Sequence, residues 1–298
     1  MCPTRAHRSL NVAIRRKLAG QPITSFSSTE IEFWKEAYEE FIQQLRGGRF
    51  GAVVCDYDGT LCGMGQTYSA PPDEIVRELC RLLRGGVIIG IATGRGKSVR
   101  DVLSRVIPKK LHSRVIIGYY SGSDIAPLSD HTRPETNSII SPSIEAATHR
   151  LLPYKGIFFE WAISANQITL TPVGSYDKTF VHSLVADILM SGNNNGMRVL
   201  SSLDSIDVLT AKASKPAVVA RCKELSRSQD VLCIGDQGGY PGNDFELLNH
   251  AHSLSVDVVS TDPRSCWNLS ARGIRGVQAT VEYLQGLTIS NGTAILEL

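Results

Sequence analysis

An apolar run at residues 52–57 stops abruptly in Asp-Tyr-Asp-Gly, and three more runs of the same kind follow it. The run at 87–92 ends in Thr93-Gly94-Arg95, that at 115–119 leads to Ser121-Gly122-Ser123, and that at 231–235 ends in Asp236. Short continuous apolar segments bounded by turn residues suit strands buried in a sheet. Residues 73–83 and 98–106 show the spacing of amphipathic helices between and after the first two runs. Strands alternating with helices predict an α/β fold, a Rossmann-like parallel sheet with helices on both faces. Ligands of such sheets bind beyond the carboxyl ends of the strands, which is where the polar motifs fall.

Ahead of the first strand, Ser27 and Glu30 have capping-box spacing. Ile31, Trp34, Tyr38, Phe41, Ile42 and Leu45 follow at helical intervals up to Gly47-Gly48. The grammar changes from about residue 131 to 210. Helical patterns at 144–152 and 178–190 are each followed by two strand-like stretches, at 156–162 and 167–172, then 197–201 and 206–210. Helix-strand-strand twice over predicts a small α+β cap at 131–210, inserted into a core made of 27–130 and 211–298. The length of 298 residues suits two such units better than one continuous core.

Residues 1–26 read as a basic, flexible arm. Arg5, Arg8, Arg15, Arg16 and Lys17 precede the first acid, Glu30. A solvated tail, a polyanion-contacting arm and an organellar transit segment are the three readings of it. The whole chain carries 31 basic and 29 acidic residues, too small an excess for broad nucleic-acid binding. No run reaches the roughly 18 apolar residues of a membrane span. Seven cysteines without CxxC spacing do not form a disulfide framework, so a reducing, cytoplasmic setting is expected. Cys55 and Cys233, inside apolar runs, read as small buried hydrophobes.

The chemistry lies at the strand ends. Asp56 and Asp58, two residues apart, project to the same side. Asp236 closes another strand, and Asp244 follows Pro241-Gly242-Asn243. If these strands are neighbours, carboxylates about 4 Å apart repel by roughly 4 kcal/mol per pair at an effective dielectric near 20. A cation must offset that, and oxygen-only donors select a hard ion such as Mg²⁺. Thr93 and Gly94, between a strand and a helix, and Lys215, just before Pro216, suit a phosphate.

Asp56-Tyr57-Asp58-Gly59-Thr60-Leu61, Thr93, Lys215, and Gly235-Asp236 with Asn243-Asp244 resemble, in order, the four motifs of the haloacid dehalogenase-like (HAD) superfamily. The resemblance covers roughly residues 50–285. The insert before Lys215 is similar in placement to the cap of sucrose-phosphate and trehalose-phosphate phosphatases. The resemblance implies a Mg²⁺-dependent phosphomonoester hydrolase acting on a phosphorylated sugar or similar small metabolite. Asp56 would be the nucleophile that forms an aspartyl-phosphate, and Asp58 the general acid and base. Thr93, Gly94 and Lys215 would hold the phosphoryl group. Asp56, the Asp58 main-chain carbonyl and Asp236 would hold Mg²⁺, with Asn243 and Asp244 behind them. Glu160, Asn166 and Lys178 are the candidate substrate contacts of the cap.

The fourth motif is stretched by residues 237–242, which leaves open whether Asp236 or Asp244 is the inner metal ligand. The third reads Ser214-Lys215-Pro216, with Lys212 nearby as a rival. Gly94-Arg95-Gly96-Lys97-Ser98 imitates the end of a P-loop, but that motif requires glycine at position 91, which is Ile91. The alternatives are a sugar phosphomutase, a phosphatase of nucleic-acid ends aided by the basic arm, and a non-catalytic phosphate-binding module. Loss of catalysis should show as a replaced acid, and no acid is replaced.

Overall fold

The computed structural model describes residues 5–63, 70–135, 139–191, 196–228 and 230–297. Among the described residues, twelve strands form two separate sheets. Those of the first half are β1 (Phe50–Asp56), β2 (Ile88–Ala92), β3 (Val115–Tyr119), β4 (Asp124–Pro127), β5 (Phe159–Ser164) and β6 (Gln167–Pro172). Those of the second half are β7 (Arg198–Ser201), β8 (Ile206–Leu209), β9 (Asp230–Gln237), β10 (Ser253–Val258), β11 (Leu287–Ser290) and β12 (Thr293–Leu296). The helices are α1 (Arg5–Lys17), α2 (Ser28–Gly47), α3 (Asp73–Arg84), α4 (Lys97–Val106), α5 (Pro142–Leu151), α6 (Lys178–Met190), α7 (Lys215–Leu225), α8 (Phe245–Leu248) and α9 (Gly276–Gln285).

The large sheet runs β10-β9-β1-β2-β3-β4, with the β11–β12 hairpin joined to β1 through β12. Its five central strands are parallel, while β4 and β12 pair antiparallel. β1 is buried along its whole length, and its alternate residues feed two cores. Val53 and Cys55 pack with Phe41 of α2, Leu79 of α3, Leu103 of α4 and Leu284 of α9. Ala52 and Val54 pack with Val218 and Cys222 of α7 and Leu247 of α8. Helices therefore cover both faces, which is why β1 reads as an unbroken apolar run. The smaller sheet, β5-β6-β8-β7, is wholly antiparallel. Ile168 and Leu170 of β6 and Ile206 and Val208 of β8 pack against α5 and α6 on one face. Their alternates, Gln167, Thr169 and Asp207, lie on the other face, toward the large sheet.

The amino-terminal segment departs from the expectation of a flexible arm. α1 docks on the core: Ala13 and Ile14 are buried in the same cluster as Phe41 and Trp267. Lys17 is buried, and its Nζ donates to the carbonyls of Ser260, Asp262 and Ser265 at 3.0, 2.7 and 2.6 Å. It also sits 4.9 Å above the Trp267 ring, around which Trp34, Tyr38 and Phe41 of α2 pack. Arg16 donates to the carbonyls of Asn268, Ser270 and Ala271. These two cations, which the sequence places in a basic arm, tie α1 to residues 260–271 near the other end of the chain. Cys2 and the side chains of Arg5 and Arg8 lie outside the described residues.

Lys17→Ala strands three carbonyls in a buried place, and an unpaired buried polar group costs about 1–3 kcal/mol. We expect the variant to be less stable by roughly 3 kcal/mol in urea unfolding. A free arm would instead show a change within about 0.5 kcal/mol. The cap of α2 forms as its sequence predicts: Ser27 Oγ accepts from the Glu30 amide and Glu30 Oε2 from the Ser27 amide. The described cysteines are all free and buried, and no helix among the described residues is long and apolar enough to cross a membrane.

Candidate active site

Because β2, β1 and β9 are parallel neighbours, their carboxyl ends lie side by side. Asp56 is in register with Ala92, and Cys55 with both Ile91 and Ile234. Asp56 and Asp236 thus come to one edge of the sheet, next to Thr93. Carboxylate oxygens of Asp56, Asp236 and Asp244 lie within 4.8 Å of one another, and all three residues are buried. Lys215, at the start of α7, points into this group. Its Nζ donates to Asp56 Oδ1 at 2.7 Å and to Asp244 Oδ1 at 2.6 Å. Of the two lysines near the third motif, Lys215 is therefore the one that reaches Asp56.

The stretched fourth motif resolves into distinct roles. Asp244 has one oxygen on Lys215 and the other on the amides of Asp236, at 2.9 Å, and Gln237, at 3.3 Å. It is a buttress with both oxygens engaged. Asp236 keeps its carboxylate at the cavity surface, where Oδ2 accepts from Gln237 Nε2 at 3.1 Å. Two glycines make these approaches possible. A Cβ on Gly235 would stand 2.7 Å from Asp244 Oδ2, and one on Gly59, where φ is +78°, 2.4 Å from Asp236 Oδ2.

Burial, and then the Asp244 carboxylate, push Asp56 up to about 8 and Asp236 up to about 9, although Lys215 pulls Asp56 the other way. Burial opposes ionisation of Asp244 as well, but Lys215 and its hydrogen bonds outweigh that and hold it below the usual carboxylate range. Two buried acids that ionise reluctantly, facing one cavity, are what a divalent cation would relieve. Asn243 Oδ1, which is buried without a hydrogen-bond partner in a residue lining the same cavity, adds a neutral oxygen donor. This donor set, all oxygen, fits a hard cation.

A sign follows for pH. Both carboxyls have folded-state affinities above the unfolded value of 3.8, so without metal the folded chain holds extra protons and loses stability as pH climbs from near 4 through about 8 and 9. In EDTA the melting temperature is expected to be lower at pH 9 than at pH 6, and Mg²⁺ to raise it more at pH 9. Differential scanning fluorimetry checks this, and an equal Mg²⁺ shift at both pH values would contradict it.

Asp58 meets a cation. Arg95 Nε donates to its Oδ2 at 2.8 Å and Arg95 Nη2 to its Oδ1, while the guanidinium lies 5.3 Å from the Tyr57 ring. Sequence spacing sets Asp58 beside a carboxylate and gives no sign of its pairing with Arg95. Thr93 is fixed by backbone bonds to Gly118 and Ser121, and its Oγ1 accepts from the Arg95 amide at 3.1 Å.

Between the sheets lies a cavity of about 350 Å³. Asp56, Asp58, Arg95 and Asp236 line it from the core, and Gln167, Thr169, Asp207 and the 202–205 loop from the cap. Gln167 Nε2 and Thr169 Oγ1 both donate to Asp207 Oδ1, at 3.0 and 2.7 Å, and Ser121 Oγ of the core donates to Gln167 Oε1 at 3.1 Å. The stretched loop holds the cap edge: the Ser201 amide donates to Pro241 O at 2.7 Å, and the Asn243 amide to Ser201 O at 3.0 Å.

None of the three cap candidates lines this cavity. Glu160 shares the cavity-facing side of its sheet, but on the outer strand β5, where it pairs with Lys155 at 3.6 Å. Asn166 turns back to Thr210, 3.1 Å away. Lys178 donates to the carbonyls of Ser202 and Leu203 and so props the loop that lines the cavity. The missed residues carried a signal, since β6 alternates polar Gln167 and Thr169 with Ile168 and Leu170. What it lacked was the direction of the site.

No protein-family profile and no curated protein sequence matches the chain. Solved structures do. The trehalose-6-phosphate phosphatase of Aspergillus fumigatus superposes with a TM-score of 0.51 at 18% identity, covering 83% of this chain and 96% of that one. An IMP-bound mutant of the Plasmodium falciparum IMP-nucleotidase reaches 0.55 at 14% identity, covering 85% and 76%. A HAD subclass IIB sugar phosphatase reaches 0.51 at 16% identity, covering 68% and 86%. At these identities the likeness is one of fold: a Rossmann-like core with an α+β cap.

Proposed function

We infer that the chain is a capped HAD-superfamily phosphatase, a divalent-dependent phosphomonoester hydrolase acting on a phosphorylated sugar or similar small polar metabolite. The observation that carries this is the Asp56–Lys215–Asp244 chain of contacts beneath a polar cavity, with Asp236 beside Asp56. Lys215 holds one oxygen of Asp56 and so aims the other. That oxygen attacks phosphorus, the ester P–O bond breaks, and the departing oxygen takes a proton from Asp58. The product is an aspartyl-phosphate on Asp56. Asp58, now a base, removes a proton from water, whose oxygen attacks the same phosphorus and releases inorganic phosphate with Asp56 restored. Thr93 and the Gly94 backbone, at the turn into α4, and Lys215 offset charge on the phosphoryl oxygens. Arg95 donates to both Asp58 oxygens, so one of these bonds has to open for Asp58 to carry the proton while the other steadies the side chain. Asp56, the Asp58 carbonyl and Asp236 would hold Mg²⁺, which would supply positive charge to offset that of the phosphate dianion beside Asp56.

The roof favours a hydroxyl-rich leaving group. Gln167, Thr169, Asp207, Ser202 and Ser205 offer donors and acceptors, whereas no aromatic ring is among the described lining residues to stack on a base. Docking of α1 through Arg16 and Lys17 removes most of the case for an arm that grips nucleic-acid ends. Inorganic phosphate release should be measured over hexose and disaccharide phosphates, nucleoside monophosphates and 4-nitrophenyl phosphate, with Mg²⁺ and with EDTA. We expect Mg²⁺-dependent release that is fastest on a sugar phosphate. Preference for a nucleotide would overturn the substrate class, and release from none of them the hydrolase itself.

A further inference from the structure

The basic character of the amino-terminal segment is not used by the catalytic site. Docking of α1 brings Arg15, Arg16 and Lys17 beside Arg272 and Arg275, more than 250 residues away in the chain. Together they line a groove of about 620 Å³ that shares no lining residue with the catalytic cavity. Five cationic side chains line it with one lining carboxylate, Asp257, which pairs with Arg275 at 2.5 Å; Asp262 stands near Lys17 and Glu282 near Arg16, which leaves the exposed Arg15 and Arg272. Lys17 and Arg16 donate chiefly to backbone carbonyls, which satisfy their N–H groups without cancelling their charge. Arg15 and Arg272 are exposed, and their side chains make no hydrogen bond or ion pair among the described residues. Val12, Val258 and Val259 supply apolar wall.

We propose that this groove is a second binding site, for a small phosphorylated metabolite whose phosphate is held by Arg15 and Arg272. A concave surface with an uncompensated positive charge concentrates anions, and guanidinium forks match phosphate oxygens in pairs. The apolar wall accommodates the body of the metabolite, which a bare ion would leave uncovered. The site exists only when α1 is docked, since its cations come from opposite ends of the chain. It also backs the catalytic loop: the Gly238 amide donates to Val258 O at 3.1 Å, and Gly239 lies against Val258 and Val259.

The test is calorimetric titration of the full-length chain with inorganic pyrophosphate, in EDTA and at low salt. We expect saturable binding that weakens roughly tenfold or more in Arg15→Ser/Arg272→Ser, the loss of two charged hydrogen-bonding partners. The Arg15→Lys/Arg272→Lys protein should recover part of it, and Asp56→Asn should retain the site. The serine variant should melt as the wild type does and hydrolyse 4-nitrophenyl phosphate at an unchanged rate, which separates this groove from the catalytic cavity. Three results would overturn the proposal: binding unchanged in the serine variant, binding weakened equally by the remote Arg221→Ser, or saturable binding of a short oligonucleotide but not of pyrophosphate.

Discussion

Asp56→Asn should abolish turnover while leaving the fold intact. The substitution keeps the shape of the side chain and an oxygen that can accept from Lys215 Nζ, now 2.7 Å from Asp56 Oδ1. It removes the negative oxygen that attacks phosphorus, and loss of a nucleophile that works as one unit with its neighbours costs on the order of 10⁴-fold or more in turnover. Stability should move the other way. Asp56 is buried beside Asp236 and Asp244, and its own ionisation is opposed by burial and by Asp244. A neutral amide relieves that repulsion, so in EDTA above pH 8 the variant should melt at or above the wild-type temperature. Mg²⁺ should raise its melting temperature less than it raises that of the wild type, because one of the anionic ligands is gone. Phosphate release and fluorimetric melting on the same preparation read both effects. Turnover within tenfold of wild type would remove Asp56 from the role of nucleophile. Loss of turnover together with a collapse of the melt would leave the variant misfolded, and the isosteric Asp56→Asn would then be replaced by Asp56→Glu, which keeps the charge and misplaces it.

Those opposite effects arise from a core whose strands were legible because both of their faces are buried. β1 and β9 are continuous apolar runs, and the acids that end them could be read as strand-end groups before their neighbours were known. Other elements lacked such a signal. β10 carries buried serines, Ser253 and Ser255, whose hydroxyls donate to the Leu248 and Val258 carbonyls, so its pattern does not read as a core strand. α1 shows few apolar residues, and its cations find neutral carbonyl partners some 240–255 residues along the chain, which no local pattern reveals. The cap strands were visible through alternation, yet alternation marks two faces without saying which one meets the core. Residue type alone therefore points to Glu160, Asn166 and Lys178, whereas Gln167, Thr169 and Asp207 line the cavity. Sequence alone does not separate Asp236, near the end of β9, from Asp244 just after it; the contact with Lys215, made by Asp244, is visible only in three dimensions.

That claim makes Lys215 the residue whose loss should cost most in stability. Its ammonium is buried between Asp56 and Asp244; burial opposes its charge, but the two carboxylates more than offset this and hold its proton more tightly than usual. Lys215→Met has nearly the same length and no charge. It leaves a cluster of buried carboxylates with no cation, and breaking a buried ion pair from one side costs about 3–5 kcal/mol. The size should depend on pH in a fixed direction. Asp244 owes its low proton affinity to Lys215, so without the lysine its folded-state affinity rises and the extra destabilisation grows as pH increases. Urea unfolding in EDTA should therefore show a larger gap between wild type and variant at pH 8 than at pH 5. Mg²⁺ should close part of that gap by supplying positive charge among the same acids. Turnover should fall by roughly 10²–10³-fold even where Mg²⁺ restores the fold, since a charge aimed at the phosphoryl oxygens is absent. A variant as stable as wild type at both pH values would show that the ion pairs do not hold this edge of the sheet together.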